Sequence, residues 1–340
     1  MFQRTVWAAV AVALMAGVAA AQQITGAGAT FPYPMYSKWF DEYHKKFPMI
    51  QFNYNSLGSG AGIQQVTAGT VDFGATDGPM SDEQLKAFRD KRGFGVLHFP
   101  TVMGGNVPIY NVKGVTAQLN FTGEALAGIF LGKITKWNDP ELTKANPGVQ
   151  LPGDPIVVVH RSESSGTTYV WTDYLGKVSP EWKTKVGIGA AVNWPVGLGG
   201  KGSEGVTGQV KQTPNSMGYV EVTYALQNKI AYGKVKNVAG AFVDANLKSV
   251  SAAAAGAVKE IPDDFRVSIT NAPGKDSYPI STFTWLLVPE KIPDAGKKKA
   301  IVDFLKWMLT DGQKMTEALS FAPLPKAVVD KELKAIAKIQ

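Results

Sequence analysis

Arg161 stands in the segment of the chain with the clearest capacity for chemistry. It follows a buried-strand pattern and precedes Ser165, Gly166 and Thr167, which open a predicted helix. A guanidinium offers fixed donors that suit two-pronged contact with an oxyanion, and the unpaired N–H groups of a helix start attract the same kind of group. Glu163 lies two residues after the arginine, where its carboxylate would hold the guanidinium in place. The segment therefore predicts an oxyanion site, since a surface ion pair alone would contribute little.

Two glycine-rich loops earlier in the chain show the same order of strand, loop and helix. The first covers residues 26–31 and carries the hydroxyl of Thr30, and the second covers residues 58–62 and carries Ser59. Small residues allow a ligand to approach the backbone closely. Phe31 occupies the place of the third glycine of a dinucleotide fingerprint, and the sequence lacks the Gly-Lys-Ser/Thr spacing of a nucleotide phosphate loop. Taken alone, each loop also fits an ordinary turn with no ligand.

The carboxylate of Asp77 has the opposite sign to the other candidates. Asp77 follows an apolar run and precedes a turn at Gly78 and Pro79. A carboxylate suits an anion site only if the anion carries a proton, because it accepts a hydrogen bond from protonated phosphate and repels sulfate. The alternative is that Asp77 caps a turn.

A frame of alternating strands and helices must position these loops. The apolar and amphipathic runs predict strands at 49–54, 71–75, 95–99, 106–110 and 155–160, and helices at 36–44, 64–68, 81–89, 123–130, 167–175 and 299–309. This alternation is typical of α/β layers. A small surface helix is predicted at 249–257, and chain crossings between domains are predicted at 104–105 and 272–277.

The composition limits the class of protein. The chain has 340 residues, with 35 Lys and Arg, 28 Asp and Glu, three His and no Cys, and its net charge is +7. The length predicts two domains, and the lack of Cys excludes thiol nucleophiles, disulfides and Cys-ligated metals. The positive excess suits an anionic partner. Nucleic acid is not expected, because no dense Lys/Arg run is interleaved with the aromatic residues.

Residues 1–21 are predicted to form a secretory signal peptide. Arg4 gives a basic start, residues 6–21 are almost wholly apolar, and the small residues at 19–21 suit a cleavage site. The apolar run is shorter than the roughly 20 residues that span a bilayer as a helix. A secreted chain without Cys has no lipid anchor on Cys, and it fits the periplasm of a bacterium with two membranes.

Several motifs in a fixed order resemble the phosphate-binding subunits of bacterial high-affinity phosphate ABC transporters. The resemblance covers nearly all of the chain after the predicted signal peptide. The motifs are TGAGATF at 25–31, residues 58–62, TVDFGATD at 70–77, FPTVMGG at 99–105, LGKITKW at 131–137, residues 161–167, WPVGLGGKG at 194–202 and MGYVE at 217–221. So many motifs in one order make the resemblance specific.

The resemblance implies an α/β protein with the two-lobed periplasmic-binding-protein fold, a hinge, and the ligand in the cleft between the lobes. Lobe I would comprise 22–103 and 279–340, and lobe II would comprise 104–278. It further implies a monomeric periplasmic receptor that is not an enzyme and needs no cofactor or metal. The receptor would bind inorganic phosphate selectively and deliver it to the permease and ATPase subunits of an ABC transporter.

The resemblance also assigns roles to particular residues. Thr30 and Phe31 would bind phosphate through their backbone N–H groups, with help from the Thr30 hydroxyl, and Ser59 would be a further donor. Asp77 would accept the proton of the phosphate, and Arg161 would make the charged contact. The start of a helix would supply donors from Ser165, Gly166 and Thr167. Glu163 stands where the family commonly has an Asp that orients the arginine, so its longer side chain would keep that role with a shifted geometry.

Two other functions fit the oxyanion loops. A secreted phosphatase or phosphoryl transferase would use them, but such enzymes usually need a metal or an activated nucleophile, and His44, His98 and His160 lie in unlike contexts. A binder of another tetrahedral oxyanion, such as sulfate or molybdate, is the other alternative, and Asp77 argues against it.

Overall fold

The computed structural model describes residues 21–257 and 261–340, so the predicted signal peptide at 1–21 lies outside the described residues except for Ala21. The strands are β1 (Gln22–Gly28), β2 (Ile50–Ser56), β3 (Phe73–Thr76), β4 (Val96–Asn111), β5 (Asn120–Phe121), β6 (Val157–Arg161), β7 (Leu198–Gly200), β8 (Ser216–Glu221), β9 (Ala231–Tyr232), β10 (Lys234–Lys236), β11 (Phe242–Val243) and β12 (Ser281–Pro289).

The α-helices alternate with these strands along most of the chain. They are α1 (Tyr33–Lys46), α2 (Ser59–Ala68), α3 (Asp82–Arg92), α4 (Gly123–Phe130), α5 (Pro140–Ala145), α6 (Gly166–Val178), α7 (Pro180–Lys185), α8 (Gly202–Gln212), α9 (Val222–Asn228), α10 (Leu247–Ala257), α11 (Ala295–Thr310) and α12 (Lys326–Ala335). Short 3₁₀ turns follow at Gly312–Met315, Glu317–Leu319 and Ile336–Lys338. Within the described ranges, no helix is both long enough and apolar enough to cross a membrane.

Local sequence explains where several helices begin. Ser81 starts α3 with a capping box, in which its hydroxyl accepts from the N–H of Gln84 and the Gln84 side chain accepts from the N–H of Ser81. The Ser165 hydroxyl caps α6 by accepting from the N–H of Thr168 at 3.2 Å. Both caps satisfy N–H groups that a helix start would otherwise leave unpaired.

One sheet runs through the molecule in the order β2-β1-β3-β12-β4-β8-β6-β7, and β9 pairs with β4. The pairs of β1 with β2 and β3 are parallel, as are the pairs of β6 with β7 and β8. Strands β12 and β4 are antiparallel to their neighbours and join the two halves. The carboxyl ends of the parallel strands thus form an edge in each half, which is where ligands bind in open α/β sheets.

The two halves have separate hydrophobic cores, so the fold is two-lobed. The first core is built around β1, β12 and α11, and the second around β6, β8 and α6. Strand β4 passes between them, because Gly104 pairs with Thr282 of β12 while Asn106 pairs with Glu221 of β8. The α/β class and the two-lobed fold predicted from the sequence are confirmed.

One segment packs differently from the predicted lobe assignment. Val250, Ala254, Ile261, Phe265 and Ile269 lie in the first core, although the predicted lobe II covers 104–278. Helix α10 therefore buries apolar side chains and is not the surface helix predicted at 249–257. Its alanine-rich sequence gave no clear apolar face, which is why the burial was not predicted. The exact lobe boundaries stay a proposal.

Two further local predictions were wrong. The strands predicted at 95–99 and 106–110 are a single strand, β4, because Gly104 and Gly105 pair with β12 instead of turning. The loop predicted at 58–62 is mostly the first turn of α2, which begins at Ser59 after the positive φ of Gly58. The chain crossing predicted at 104–105 lies where β4 passes from β12 to β8, and the backbone stays extended there. In both segments the glycines belong to regular secondary structure, because neighbouring contacts outweigh their local preference.

Candidate functional site

The guanidinium of Arg161 is buried at the carboxyl end of β6. Its Nη1 donates to the hydroxyl of Thr167 at 3.2 Å and to that of Ser203 at 3.4 Å. The backbone N–H of Arg161 donates to the hydroxyl of Tyr219 at 3.2 Å. Strand pairing on both sides of β6 fixes the backbone, and the hydroxyls then fix the direction of the guanidinium.

Glu163 forms an ion pair with this arginine. Its Oε1 accepts from Arg161 Nε at 2.8 Å and also from Nη2. The same carboxylate accepts from the N–H of Gly202 at the start of α8, at 3.2 and 3.3 Å. Because Glu163 binds Nε and Nη2, the third nitrogen, Nη1, points to the hydroxyls of Thr167 and Ser203. Glu163 therefore has the contacts that an arginine-orienting residue needs, and that role stays a prediction.

Asp77 is buried directly after β3. Its Oδ1 accepts from the hydroxyl of Thr284 at 2.9 Å, and its Oδ2 accepts from the hydroxyl of Thr167 at 3.4 Å. Burial raises the pKa of Asp77 to about 7, while Arg161 and these hydroxyls act in the opposite direction. A carboxyl group that titrates near neutral pH can exchange a proton with a ligand that does the same.

The loop after β1 brings Thr30 to the same place. Its Oγ1 lies 2.9 Å from the hydroxyl of Ser203 and accepts from the N–H of Ser203 at 3.3 Å. The side chain of Phe31 points away into the first core, where its ring centroid lies 6.1 Å from that of Phe321. Phe31 can therefore serve an anion only through its backbone N–H.

The start of α2 meets the start of α6. The Ser59 hydroxyl accepts from the N–H of Asp77 at 3.2 Å, and the N–H of Gly60 donates to the carbonyl of Ser164 at 3.0 Å. Gly166 has no room for a side chain, since an added Cβ would lie 2.5 Å from Ser59 Oγ and 2.6 Å from the backbone N of Asp77. Glycine at this position allows the two helix starts to approach closely.

The predicted site residues therefore lie together between the two cores. The half of the sheet with β1, β2 and β3 carries Thr30, Phe31, Ser59 and Asp77. The half with β6 and β8 carries Arg161, Glu163, Ser165, Gly166 and Thr167. One arginine, several hydroxyls and the N-terminal ends of α2 and α6 form a surface rich in donors. Such a surface suits a small oxyanion held by hydrogen bonds.

The similarity of the chain to known proteins agrees with this geometry. Residues 16–312 match the family model described as a PBP superfamily domain. The phosphate-binding protein PstS of Pasteurella multocida is 45% identical over 332 residues, which cover 97% of this chain and 94% of that protein. The corresponding protein of Xylella fastidiosa is 46% identical over 308 residues, which cover 90% of this chain and 83% of that protein. The chain belongs to the PstS family.

A solved structure resembles this member of the PstS family along most of its length. It is a high affinity periplasmic phosphate-binding protein, PfluDING, with bound phosphate. The TM-score is 0.71 at 23% identity, and the match covers 92% of this chain and 93% of that one. At this identity the similarity shows the fold. The family resemblance predicted from the sequence motifs is confirmed by the PstS relatives.

Two further residues of this PstS-family chain, Ser203 and Thr284, contact the predicted site residues and were not predicted from the sequence. Ser203 is the second residue of α8, and Thr284 lies in β12 opposite the end of β3. The glycine-rich run at 194–202 was a signal for Ser203, because a serine follows it at a helix start. Nothing local distinguishes Thr284, whose place beside Asp77 depends on the pairing of β12 with β3.

The rings of His98 and His160 make contacts other than those of the candidate oxyanion site. His98 is buried in β4, where its Nε2 accepts from the N–H of Met80, and burial lowers the pKa of His98 to about 3. His160 stacks on Trp194 with ring centroids 4.8 Å apart, and its Nδ1 lies 2.9 Å from the carbonyl oxygen of Arg161. Both rings thus have structural contacts.

Proposed function

We propose that the chain is a receptor that binds inorganic phosphate in the cleft between its two lobes. The observation that carries the proposal is the buried guanidinium of Arg161 beside the buried carboxyl of Asp77, with the Thr167 hydroxyl in contact with both. With Asp77 ionised, the pair favours an anion that also carries a proton. Monohydrogen and dihydrogen phosphate have both properties at neutral pH.

Each phosphate oxygen would find donors in this arrangement. Arg161 would make the charge-assisted contact, and the hydroxyls of Thr30, Ser59 and Thr167 would donate to the remaining oxygens. The backbone N–H groups of Thr30 and Phe31 and those of the α6 start at Ser165, Gly166 and Thr167 would complete the set. An oxyanion that leaves water loses strong hydration, and only a nearly complete set of donors offsets that cost.

Asp77 would provide the selectivity. An ionised carboxylate accepts a hydrogen bond from the proton of bound phosphate, whereas it repels sulfate, which has no proton to donate near neutral pH. Glu163 would hold the guanidinium through the contacts at Nε and Nη2. The longer glutamate side chain can do this because the N–H of Gly202 fixes both of its oxygens.

The receptor would act in import and would not be an enzyme. The curated relatives are named as binding proteins, and the predicted signal peptide at 1–21 favours a periplasmic location. In that location a monomeric receptor without a lipid anchor would deliver phosphate to the permease and ATPase subunits of an ABC transporter. Closure of the lobes would bury the anion and opening would release it. The donor set binds phosphate without any cofactor.

Calorimetric titration of phosphate-free protein with phosphate and with sulfate tests the proposal. We expect tight binding of phosphate and weak binding of sulfate at pH 7.5. Comparable affinities would instead make the chain a general binder of tetrahedral oxyanions. Hydrolysis of a chromogenic phosphate ester, measured with and without divalent metal, tests the phosphatase alternative, and turnover in that assay would contradict the receptor function.

A further inference from the structure

Two tyrosines hold adjacent carbonyl groups of the loop that carries Thr30. The hydroxyl of Tyr54 donates to the carbonyl oxygen of Ala29 at 2.8 Å, and the hydroxyl of Tyr224 donates to that of Thr30 at 2.5 Å. Tyr54 lies in β2 and packs against the first core, whereas Tyr224 lies in α9 and belongs to the second core. The loop therefore accepts hydrogen bonds from both lobes.

Because the peptide unit is planar, a hydrogen bond that fixes a carbonyl group also fixes the N–H group of the same unit. In a trans peptide the N–H points away from the C=O of the same unit. The carbonyl of Ala29 shares its unit with the N–H of Thr30, and the carbonyl of Thr30 shares its unit with the N–H of Phe31. Among the hydrogen bonds of residues 21–257 and 261–340, neither N–H donates to a protein acceptor. Each tyrosine thus fixes the direction of one unused donor.

The proton of Tyr224 can be placed from the distances. Its hydroxyl oxygen lies 2.5 Å from the carbonyl oxygen of Thr30 and 3.0 Å from Oε1 of Glu204. Two oxygens 2.5 Å apart repel each other unless a proton lies between them, so the proton is directed to Thr30. Burial raises the pKa of Tyr224 well above its ordinary value, so the hydroxyl keeps its proton at neutral pH.

We propose that Tyr54 and Tyr224 are positioning residues that aim the N–H groups of Thr30 and Phe31 at the bound oxyanion. The proposal rests on the phosphate-binding function argued above. Tyr54 makes its contact within one lobe, so it orients the Thr30 N–H whether the lobes are together or apart. Tyr224 reaches across from the other lobe, so its contact forms only when the lobes meet. The Tyr224 contact therefore couples closure of the cleft to the orientation of a donor.

Phenylalanine variants test both residues, because they remove the hydroxyl and keep the ring. For Tyr224→Phe and Tyr54→Phe we expect the dissociation constant for phosphate to rise about three- to tenfold. For Tyr224→Phe the rise should come from faster dissociation with an unchanged association rate. Matched controls are Tyr232→Phe in the second lobe and Tyr43→Phe in the first, whose hydroxyls make no hydrogen bond among the described residues. The control affinities should stay within twofold of wild type.

A second measurement separates positioning from general loss of structure. In ¹⁵N-labelled protein, phosphate should move the amide proton signals of Thr30 and Phe31 downfield. Tyr224→Phe should reduce that shift for Phe31, and Tyr54→Phe should reduce it for Thr30, while the amide signal of Gly166 moves as in wild type. Wild-type binding of phosphate with unchanged affinities and shifts in both variants would overturn this inference alone. Failure of the wild-type protein to bind phosphate would overturn the proposed function as well.

Discussion

The Oγ1 of Thr167 lies 3.4 Å from Oδ2 of Asp77, although 90 positions separate the two residues in sequence. Thr167 belongs to the first turn of α6, and Asp77 follows β3 in the other half of the sheet. The same hydroxyl accepts from Nη1 of Arg161 at 3.2 Å. It thus stands between a cation and a carboxyl group. In the described part of the chain no direct ion pair joins the two, so both remain available to a ligand between the lobes.

Replacing Asp77 by Asn should weaken the discrimination between phosphate and sulfate. The amide has the shape of the carboxylate but no charge, and its NH₂ group can donate to an oxyanion that carries no proton. We expect the ratio of the sulfate and phosphate dissociation constants to fall by about tenfold or more, which corresponds to about 1.4 kcal/mol. Calorimetric titration of Asp77→Asn with both anions at pH 7.5 measures this ratio.

Asp72→Asn is the matched control for that variant. Asp72 is a partly buried carboxylate that accepts from the N–H of Thr25 and the ammonium of Lys297, each at 2.8 Å. Neither contact belongs to the candidate site, so the control should keep the wild-type ratio even if it loses some stability. A wild-type ratio in Asp77→Asn would remove Asp77 from the basis of selectivity.

The stability of the phosphate-free protein should depend on the ionisation of Asp77. Burial raises its pKa from 3.8 to about 7, so between these values the folded protein binds a proton that the unfolded chain has released. The stability that this proton gives is fully present below pH 4 and is lost as the pH rises through about 7. Relative to wild type, Asp77→Asn should therefore become more stable as the pH rises over this window.

Thermal unfolding of both phosphate-free proteins between pH 4 and pH 8 measures that difference. Glu332, whose pKa is raised by burial, occurs in both proteins, so its contribution cancels in the comparison. The pKa of Glu221 is raised by burial and also by the charge of Asp77, so Asp77→Asn lowers it and this coupling is part of the measured difference. A difference in melting temperature that stays constant from pH 4 to pH 8 would contradict a raised pKa at Asp77.

Arg161→Lys should lower phosphate affinity although the positive charge is kept. The guanidinium contacts Glu163 through Nε and Nη2 while Nη1 faces the hydroxyls of Thr167 and Ser203. An ammonium on a flexible chain cannot keep these contacts and bind the anion at the same time. Loss of a charge-assisted contact predicts a dissociation constant about 10- to 100-fold higher, measured by calorimetric titration.

Arg266→Lys controls for a general effect of replacing arginine. Arg266 forms ion pairs with Asp264 at 2.7 Å and with Asp82 at 2.8 Å, among side chains outside the candidate site. Its replacement should leave phosphate affinity within twofold of wild type. If Arg161→Lys also stays within twofold, then Arg161 acts through its charge alone and the directed contacts do not matter.

The identities of the candidate site residues could be predicted from the sequence, but the contacts between them could not. Arg161 after an apolar run and Ser165 at a helix start are local signals, and the structure has both where they were expected. Thr30 and Asp77 were also candidates from their local sequence, and the family motifs assigned each of them a role. In contrast, the contact of Thr30 with Ser203 joins residues 173 positions apart. The periodicity of apolar residues cannot predict such a contact. It depends on how the two lobes are arranged around β4, the strand that runs through both of them.

The errors in the fold have the same physical origin. Gly104 and Gly105 were interpreted as a chain crossing between domains with a separate strand on each side, yet pairing with β12 keeps that backbone extended and makes β4 one strand that serves both lobes. The helix α10 was expected on the surface, yet Val250 and Ala254 pack in the first core. In each case tertiary contacts outweighed local preference, as they routinely do for glycine and alanine.

Gly166→Ala should reduce phosphate affinity by holding the lobes apart. A Cβ at this position would lie 2.5 Å from Ser59 Oγ and 2.6 Å from the backbone N of Asp77, and both atoms belong to the opposite lobe. Overpacking of this kind typically costs about 1–3 kcal/mol, which predicts a dissociation constant about 5- to 150-fold higher. The second lobe should fold normally, because the clash is not within it.

Gly208→Ala is the matched control, since Gly208 also lies in a helix and a Cβ there meets no atom within 4 Å. Alanine favours helix over glycine, so this variant should bind phosphate like wild type and unfold at an equal or higher temperature. Small-angle X-ray scattering with saturating phosphate completes the test. The radius of gyration of Gly166→Ala should exceed that of the control, whereas equal radii and equal affinities would show that the helix starts can separate without cost.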